Sequence, residues 1–155
     1  MPHARRWRRL LAQTRGAGQA SQLILRAEQH YRELHRRRPR YASLALRYHV
    51  TDQILPALAL YQALRDEHGD NQTAMEKELE QLLWSEIAPF YRAAMGFLPL
   101  LRDPFPIWRV LVKLGMAAIF PPAGWRTRPA VDDGRCYGFD IVGCVYLETL
   151  RAYGA

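Results

Sequence analysis

Asp140, Cys144 and Tyr146 place a carboxylate, a thiol and a phenol at even spacing in the segment Phe139-Asp-Ile-Val-Gly-Cys-Val-Tyr146. A thiolate can attack an electrophilic carbon or help bind a sulfur-containing ligand, and a carboxylate can take a proton from water. In an extended strand the side chains alternate, so Asp140, Val142, Cys144 and Tyr146 share one face. Phe139, Ile141, Gly143 and Val145 share the other, which is apolar enough to face a core. An ideal strand separates Asp140 from Cys144 by roughly 13 Å, too far for a direct hydrogen bond unless the strand bulges. Gly143 permits such a bulge. A helix beginning about three residues after Cys144 would bring an electropositive N-terminus near the thiol. The competing reading is a small buried thiol with no chemistry, and it applies to Cys136 more strongly than to Cys144.

The elements that must position these groups are mostly helical. Residues 1–20 are basic, end in Gly16-Ala17-Gly18, and read as a flexible arm; residues 21–155 read as one domain. From Ser21 to His35, Leu23, Ile24, Ala27, Tyr31 and Leu34 recur at helical spacing, and Arg36-Arg37-Arg38-Pro39-Arg40 ends the pattern as a solvated loop. Thr51 or Asp52 is the expected cap of a second helix, with Pro56 in or near its first turn and Gly69 at its end. A third helix is expected from about Asn71, with Thr73-x-x-Glu76 as a capping box. Its stripe is Leu79, Leu82, Leu83, Ile87, Phe90, Tyr91 and Ala94, and Pro89 should kink or end it. Asp103-Pro104-Phe105-Pro106 opens a helix from Ile107 to about Ala118 that is apolar on nearly every side, the signature of a central helix. After Phe120-Pro-Pro-Ala-Gly124, residues 125–131 can be extended, Asp132-Asp133-Gly134 is a hairpin-type turn, and Arg135 to Tyr146 can be the return strand. The fold class is therefore α+β: an N-terminal helical region, a β-hairpin and a terminal helix.

Composition narrows the functions. Apolar residues make up 49% of the 155-residue chain, enough for a real core. The net charge of +7 is uneven: residues 1–40 hold eleven Arg and two Glu, and the remainder sums to −2. A basic terminus on a nearly neutral body argues against nucleic acid as the main partner, although an Arg-rich nucleic-acid or partner-binding function stays open. No apolar run approaches the length needed to cross a bilayer. The charged start His3-Ala-Arg-Arg-Trp-Arg-Arg-Leu-Leu is interrupted by Gln13-Thr14-Arg15-Gly16 before an export signal can form. The expected compartment is the cytoplasm, with Cys136 and Cys144 as reduced thiols. His-x-x-x-His and Cys-x-x-Cys spacings are absent, as are phosphate loops and dinucleotide fingerprints, so no metal or cofactor is expected.

Two segments resemble a known family. Leu55-Pro-Ala-Leu-Ala-Leu-Tyr-Gln-Ala-Leu-Arg-Asp66, followed by the acidic helix near Thr73, is similar to the front of the L-2-amino-thiazoline-4-carboxylic acid hydrolases. Phe139-Asp-Ile, Cys144-Val-Tyr146 and Leu150-x-x-Tyr-Gly-Ala155 resemble that family's strand-Cys-helix segment, so the likeness spans about residues 42–155. It implies hydrolytic opening of a thiazoline ring: water attacks the carbon between nitrogen and sulfur, the ring thiolate leaves, and N-carbamoyl-L-cysteine forms. It also implies Cys144 and Asp140 as catalytic residues, with Tyr61 and Tyr146 contacting substrate. Family members continue past Tyr-Gly-Ala with a Pro-Glu-Leu-like stretch and a further Cys and Asp. The domain is accordingly expected to be incomplete at its C-terminus, and inactive if those residues complete the site. A ligand-binding module of the same fold is the alternative, and self-association through an exposed sheet edge is expected if the missing segment supplies a strand.

Overall fold

The computed structural model describes the chain apart from positions 42, 70, 121 and 155 and the side chains of residues 90, 94, 118 and 119. Expectations resting on the side chains of Phe90, Ala94 and Ala118, or on Pro121 and Ala155, lie outside the described residues. Helices α1 (Ala4–Arg15) and α2 (Ala17–Arg36) come first, then α3 (Leu44–Tyr48), a π-helical stretch (His49–Ile54) and α4 (Leu55–His68). Next are α5 (Gln72–Phe97), a 3-10 turn (Leu98–Leu100) and α6 (Phe105–Ile119). The chain closes with β1 (Trp125–Asp132), β2 (Tyr137–Cys144) and α7 (Val145–Ala152). The two strands pair antiparallel, giving the α+β class expected from the sequence.

Residues 1–20 are not a flexible arm. Ala4, Trp7 and Leu11 stand at helical spacing and are buried against α2, α4 and α5 in a cluster with Leu23, Ile24, Leu60, Leu64, Met75 and Leu82. Gly16 makes the corner into α2: its φ of 83° lies where a Cβ is strained, and its N–H still closes the last turn of α1 on the Ala12 carbonyl. The two interior prolines help hold α1 in place. Pro56 has no N–H, so it cannot serve the carbonyls four and five residues before it. Asp52 O instead accepts from His3 Nε2 at 2.8 Å, and Thr51 O from the Tyr31 hydroxyl at 3.0 Å. Pro89 does the same to Ser85 O, which accepts from Arg6. Two proline-vacated carbonyls on different helices are thus filled by side chains of the first six residues. Arg15 ties the other end of α1 to Glu67, Glu78 and His68.

Several boundaries move for related reasons. Ser43, not Thr51 or Asp52, caps the helical run, its Oγ accepting from Leu46 N at 3.2 Å. Thr51 sits inside that run and its hydroxyl donates back to Arg47 O at 2.7 Å. The widened π turn is the way the helix passes Pro56 without stopping. Asn71 caps α5, its Oδ1 accepting from Ala74 N at 3.3 Å, and α5 continues past Pro89 to Phe97.

A second cluster, of Leu34, Val50, Ile54, Leu55, Leu58 and Ala59, packs against Tyr31, Tyr41 and the α7 residues Val145, Tyr146 and Leu150. Gly124 lets this corner close: a Cβ there would stand 2.3 Å from Leu46 Cδ2, and its carbonyl accepts from Val145 N at 2.8 Å. Tyr31, Tyr41, Tyr146 and Tyr153 around this cluster all have phenol pKa values raised above the usual 10.0, chiefly because burial disfavours the phenolate. A raised folded-state value means that unfolding releases phenols that ionise more readily. The stabilisation is therefore intact below pH 10 and lost as pH rises through the folded-state values. The denaturant midpoint is expected to hold up to the ordinary phenol value of 10.0 and to drop as pH rises above it. Tyr153→Phe should flatten that drop while removing the hydrogen bond to Leu34 O, at about 1 kcal/mol near pH 8.

Helix α6 is not central. Ile107, Trp108, Val110, Leu111 and Leu114 are 42–61% exposed. Its firm tie is polar: Asp132 at the end of β1 accepts from Arg109 Nε and Lys113 Nζ, each at 2.6 Å, and Lys113 also lies over the Tyr137 ring. An all-round apolar helix needs cover on all sides, and the described residues supply it on one.

Candidate functional site

The return strand ends two residues earlier than its sequence suggests. Cys144 is the last strand residue and the N-cap of α7, so Tyr146 belongs to the first turn of that helix. The pairing carries two irregularities. Arg126 faces Gly143 and Thr127 faces Ile141, leaving Val142 as an extra residue beside Gly143; Ala130 is the extra residue on β1. An inserted residue breaks the two-residue alternation. The expected shared face of Asp140, Val142, Cys144 and Tyr146 therefore does not exist. Nor is the opposite face buried: Ile141 is 54% exposed, and Phe139, Gly143 and Val145 are only half-buried. Asp140 is taken up by Arg128, its cross-strand partner, whose Nη2 lies 2.8 Å from the carboxylate. Cys144 is half-buried and Cys136 exposed, and neither is in a disulfide.

A large concavity among the described residues lies elsewhere, between the start of α1, the π turn and α4, the middle of α5, and α7. It encloses about 560 Å³. Tyr61 and Tyr146, the two residues expected to contact substrate, both line it, whereas Cys144 and Asp140 do not. Apolar walls come from Ile54, Leu58, Leu79, Leu83, Ile87 and Leu150. The spacing explains the shape: Ile54, Leu58 and Tyr61 form one stripe of the π/α4 run, and Leu79, Leu83 and Ile87 one stripe of α5.

Polar groups are few on this surface. His3 Nδ1 lies 3.1 Å from Glu86 Oε2 while its Nε2 meets Asp52 O. The Asp52 carbonyl can only accept, so Nε2 donates to it and Nδ1 is the nitrogen that faces the Glu86 carboxyl. His3 also adopts a left-handed backbone, φ 63°, a sparsely populated region for any residue with a Cβ. Arg6 Nε approaches Glu86 Oε1 at 3.6 Å, an ion pair without a hydrogen bond, so Oε1 is left as a buried acceptor beside the cavity. Tyr146 turns its hydroxyl away to His49 Nδ1 at 3.0 Å, and burial followed by the nearby Cys144 holds the phenol neutral to higher pH. His49 is buried and stacked among Phe120, Trp125 and Tyr146, which locks the hairpin to the helices.

Sequence reasoning missed His3, His49 and Glu86, because each is paired with a residue at least 49 positions away. The helical spacing of Ala4, Trp7 and Leu11 was the available signal that His3 and Trp7 would reach this cavity. Among the described residues no group of His, Cys, Asp and Glu is arranged to hold a metal ion. No described helix is long and apolar enough to cross a membrane. No family model, curated protein or solved structure matches this chain.

Proposed function

We propose that this α+β domain is a binding module for a small, uncharged, largely apolar molecule held between α1, α4, α5 and α7. The observation that carries this reading is the cavity itself. Its volume of about 560 Å³ falls among ordinary small-molecule sites. Its walls are mostly aliphatic and aromatic, none of its described lining residues is Lys or Arg, and its one carboxylate is paired with His3 and Arg6. A charged ligand would lose its hydration there without gaining a counter-ion. Titration of the full chain with the neutral apolar fluorophore N-phenyl-1-naphthylamine tests this. Saturable binding that a neutral alcohol such as 1-decanol displaces supports the reading, and linear, non-saturating fluorescence overturns it.

Ring-opening hydrolysis of L-2-amino-thiazoline-4-carboxylate is the second reading. Besides the resemblance, it is favoured by Cys144 standing at the N-cap position of α7, with Tyr146 two residues on and lining the cavity. It faces a chemical difficulty, because the substrate carboxylate requires a cation and the described lining holds no Lys or Arg, its His3 being already engaged by Glu86 and Asp52. N-carbamoyl-L-cysteine released by the wild-type chain and lost in Cys144→Ala would establish it; absence of product from folded protein would remove it. The unpaired thiols fit a reducing cytoplasm. Arg6, Arg15 and Arg26 are engaged by Glu86, Glu67 and Glu78, which supports a structural use of N-terminal arginines over nucleic-acid binding.

A further inference from the structure

The second half of α5 and the whole of α6 carry an apolar surface lying mostly outside the cavity; of its residues Ile87 also lines the cavity wall. On α5, Trp84, Ile87, Tyr91 and Met95 are 46–54% exposed and stand three or four residues apart. On α6, Ile107, Val110, Leu111 and Leu114 repeat at i, i+3, i+4 and i+7, the spacing of a helix–helix seam. We infer that this surface pairs with the same surface of a second copy of the chain, forming a two-fold dimer through α5 and α6.

Three observations favour a second copy. The first is area. The two stripes together hold eight large apolar side chains that are 42–61% exposed. At about 100 Å² each, half of what an aromatic side chain can bury, they offer roughly 800 Å². A stable interface of standard size needs about 800 Å² per partner, and monomers rarely leave such a patch open. The second is charge. The basic residues of α6, Arg109 and Lys113, are both committed within the chain to Asp132. That leaves the Ile107–Leu114 stripe without a charge to match, so the partner surface must itself be apolar and neutral. The third is self-complementarity: a helix stripe with coiled-coil spacing is met by another of the same kind across a two-fold axis.

Size-exclusion chromatography with light scattering on the full chain, from about 1 to 100 μM, is the test. The wild type is expected at twice the chain mass, and Leu111→Glu with Leu114→Glu at the single-chain mass. Unchanged far-UV circular dichroism in that variant separates loss of pairing from loss of fold. If the variant does not fold, the wild type still decides the matter. Chains labelled separately with donor and acceptor dyes at exposed Cys136 should develop energy transfer on mixing, and unlabelled chain should compete it away. A single-chain mass across the whole range, or no energy transfer, overturns the dimer. Wild-type chain that stays at the single-chain mass but sediments with neutral phosphatidylcholine vesicles overturns it too, assigning the surface to lipid instead.

Discussion

Trp7→Ala should cost about 3–5 kcal/mol of folding stability, the range for truncating a buried tryptophan. Trp7 is 1% exposed and packs with Leu11, Leu23, Ile24 and Leu60 in the larger core cluster. Its loss opens a cavity at the joint of four helices, and the surrounding side chains can relax into it only in part. The loss should also weaken the bonds that His3 and Arg6 make to the carbonyls vacated by Pro56 and Pro89, since these depend on where α1 lies. Guanidinium denaturation followed by far-UV circular dichroism gives the value. A change under 1 kcal/mol would mean that residues 1–20 behave as the loose arm their arginines and glycines suggest. Deleting residues 1–16 should be more severe than the point change, because it leaves Ser85 O and Asp52 O without their donors.

Ala57→Trp should weaken binding of the apolar fluorophore by at least about 100-fold, near 2.7 kcal/mol. Ala57 lines the cavity from α4 between Ile54 and Leu58, so a bulky ring at that position occupies ligand volume. The same change should cost only about 1–3 kcal/mol in stability, since the space already exists. Cys144→Ala and Asp140→Asn are the contrasting pair. Neither residue reaches the cavity, so both variants should bind the fluorophore as the wild type does. If instead Cys144→Ala abolishes ligand binding and Ala57→Trp leaves it intact, the functional centre is at the hairpin and the cavity is a packing defect.

Spacing rules explain which parts of the site were legible. Ile54, Leu58 and Tyr61 fall on one helical face, as do Leu79, Leu83 and Ile87, and both faces can be read from the chain alone. That places Tyr61 on an apolar wall correctly. The strand argument failed at a single residue: Val142 is an extra member of β2, and one insertion reverses every later side chain. Gly143 showed that a bulge was permitted, but strand pairing with Arg126 and Thr127 decided that it formed. The prolines misled in the same way. Pro56 and Pro89 are helix breakers locally, and the helices continue through them because His3, Tyr31 and Arg6 take over the hydrogen bonding that proline removes.

By itself the sequence determined the class of fold, the helical stripes, the position of the hairpin and the reactive groups available. These depend on periodicity and turn chemistry, which act over a few residues. Tertiary structure decided which groups share a site. It brought Tyr146 beside Tyr61, separated both from Asp140, and carried His3 to Glu86 across 83 positions of chain. It also left α6 at the surface, although nothing in its composition distinguishes it from a core helix. Burial depends on what packs against a residue, and packing partners are set by the whole chain rather than by neighbours along it.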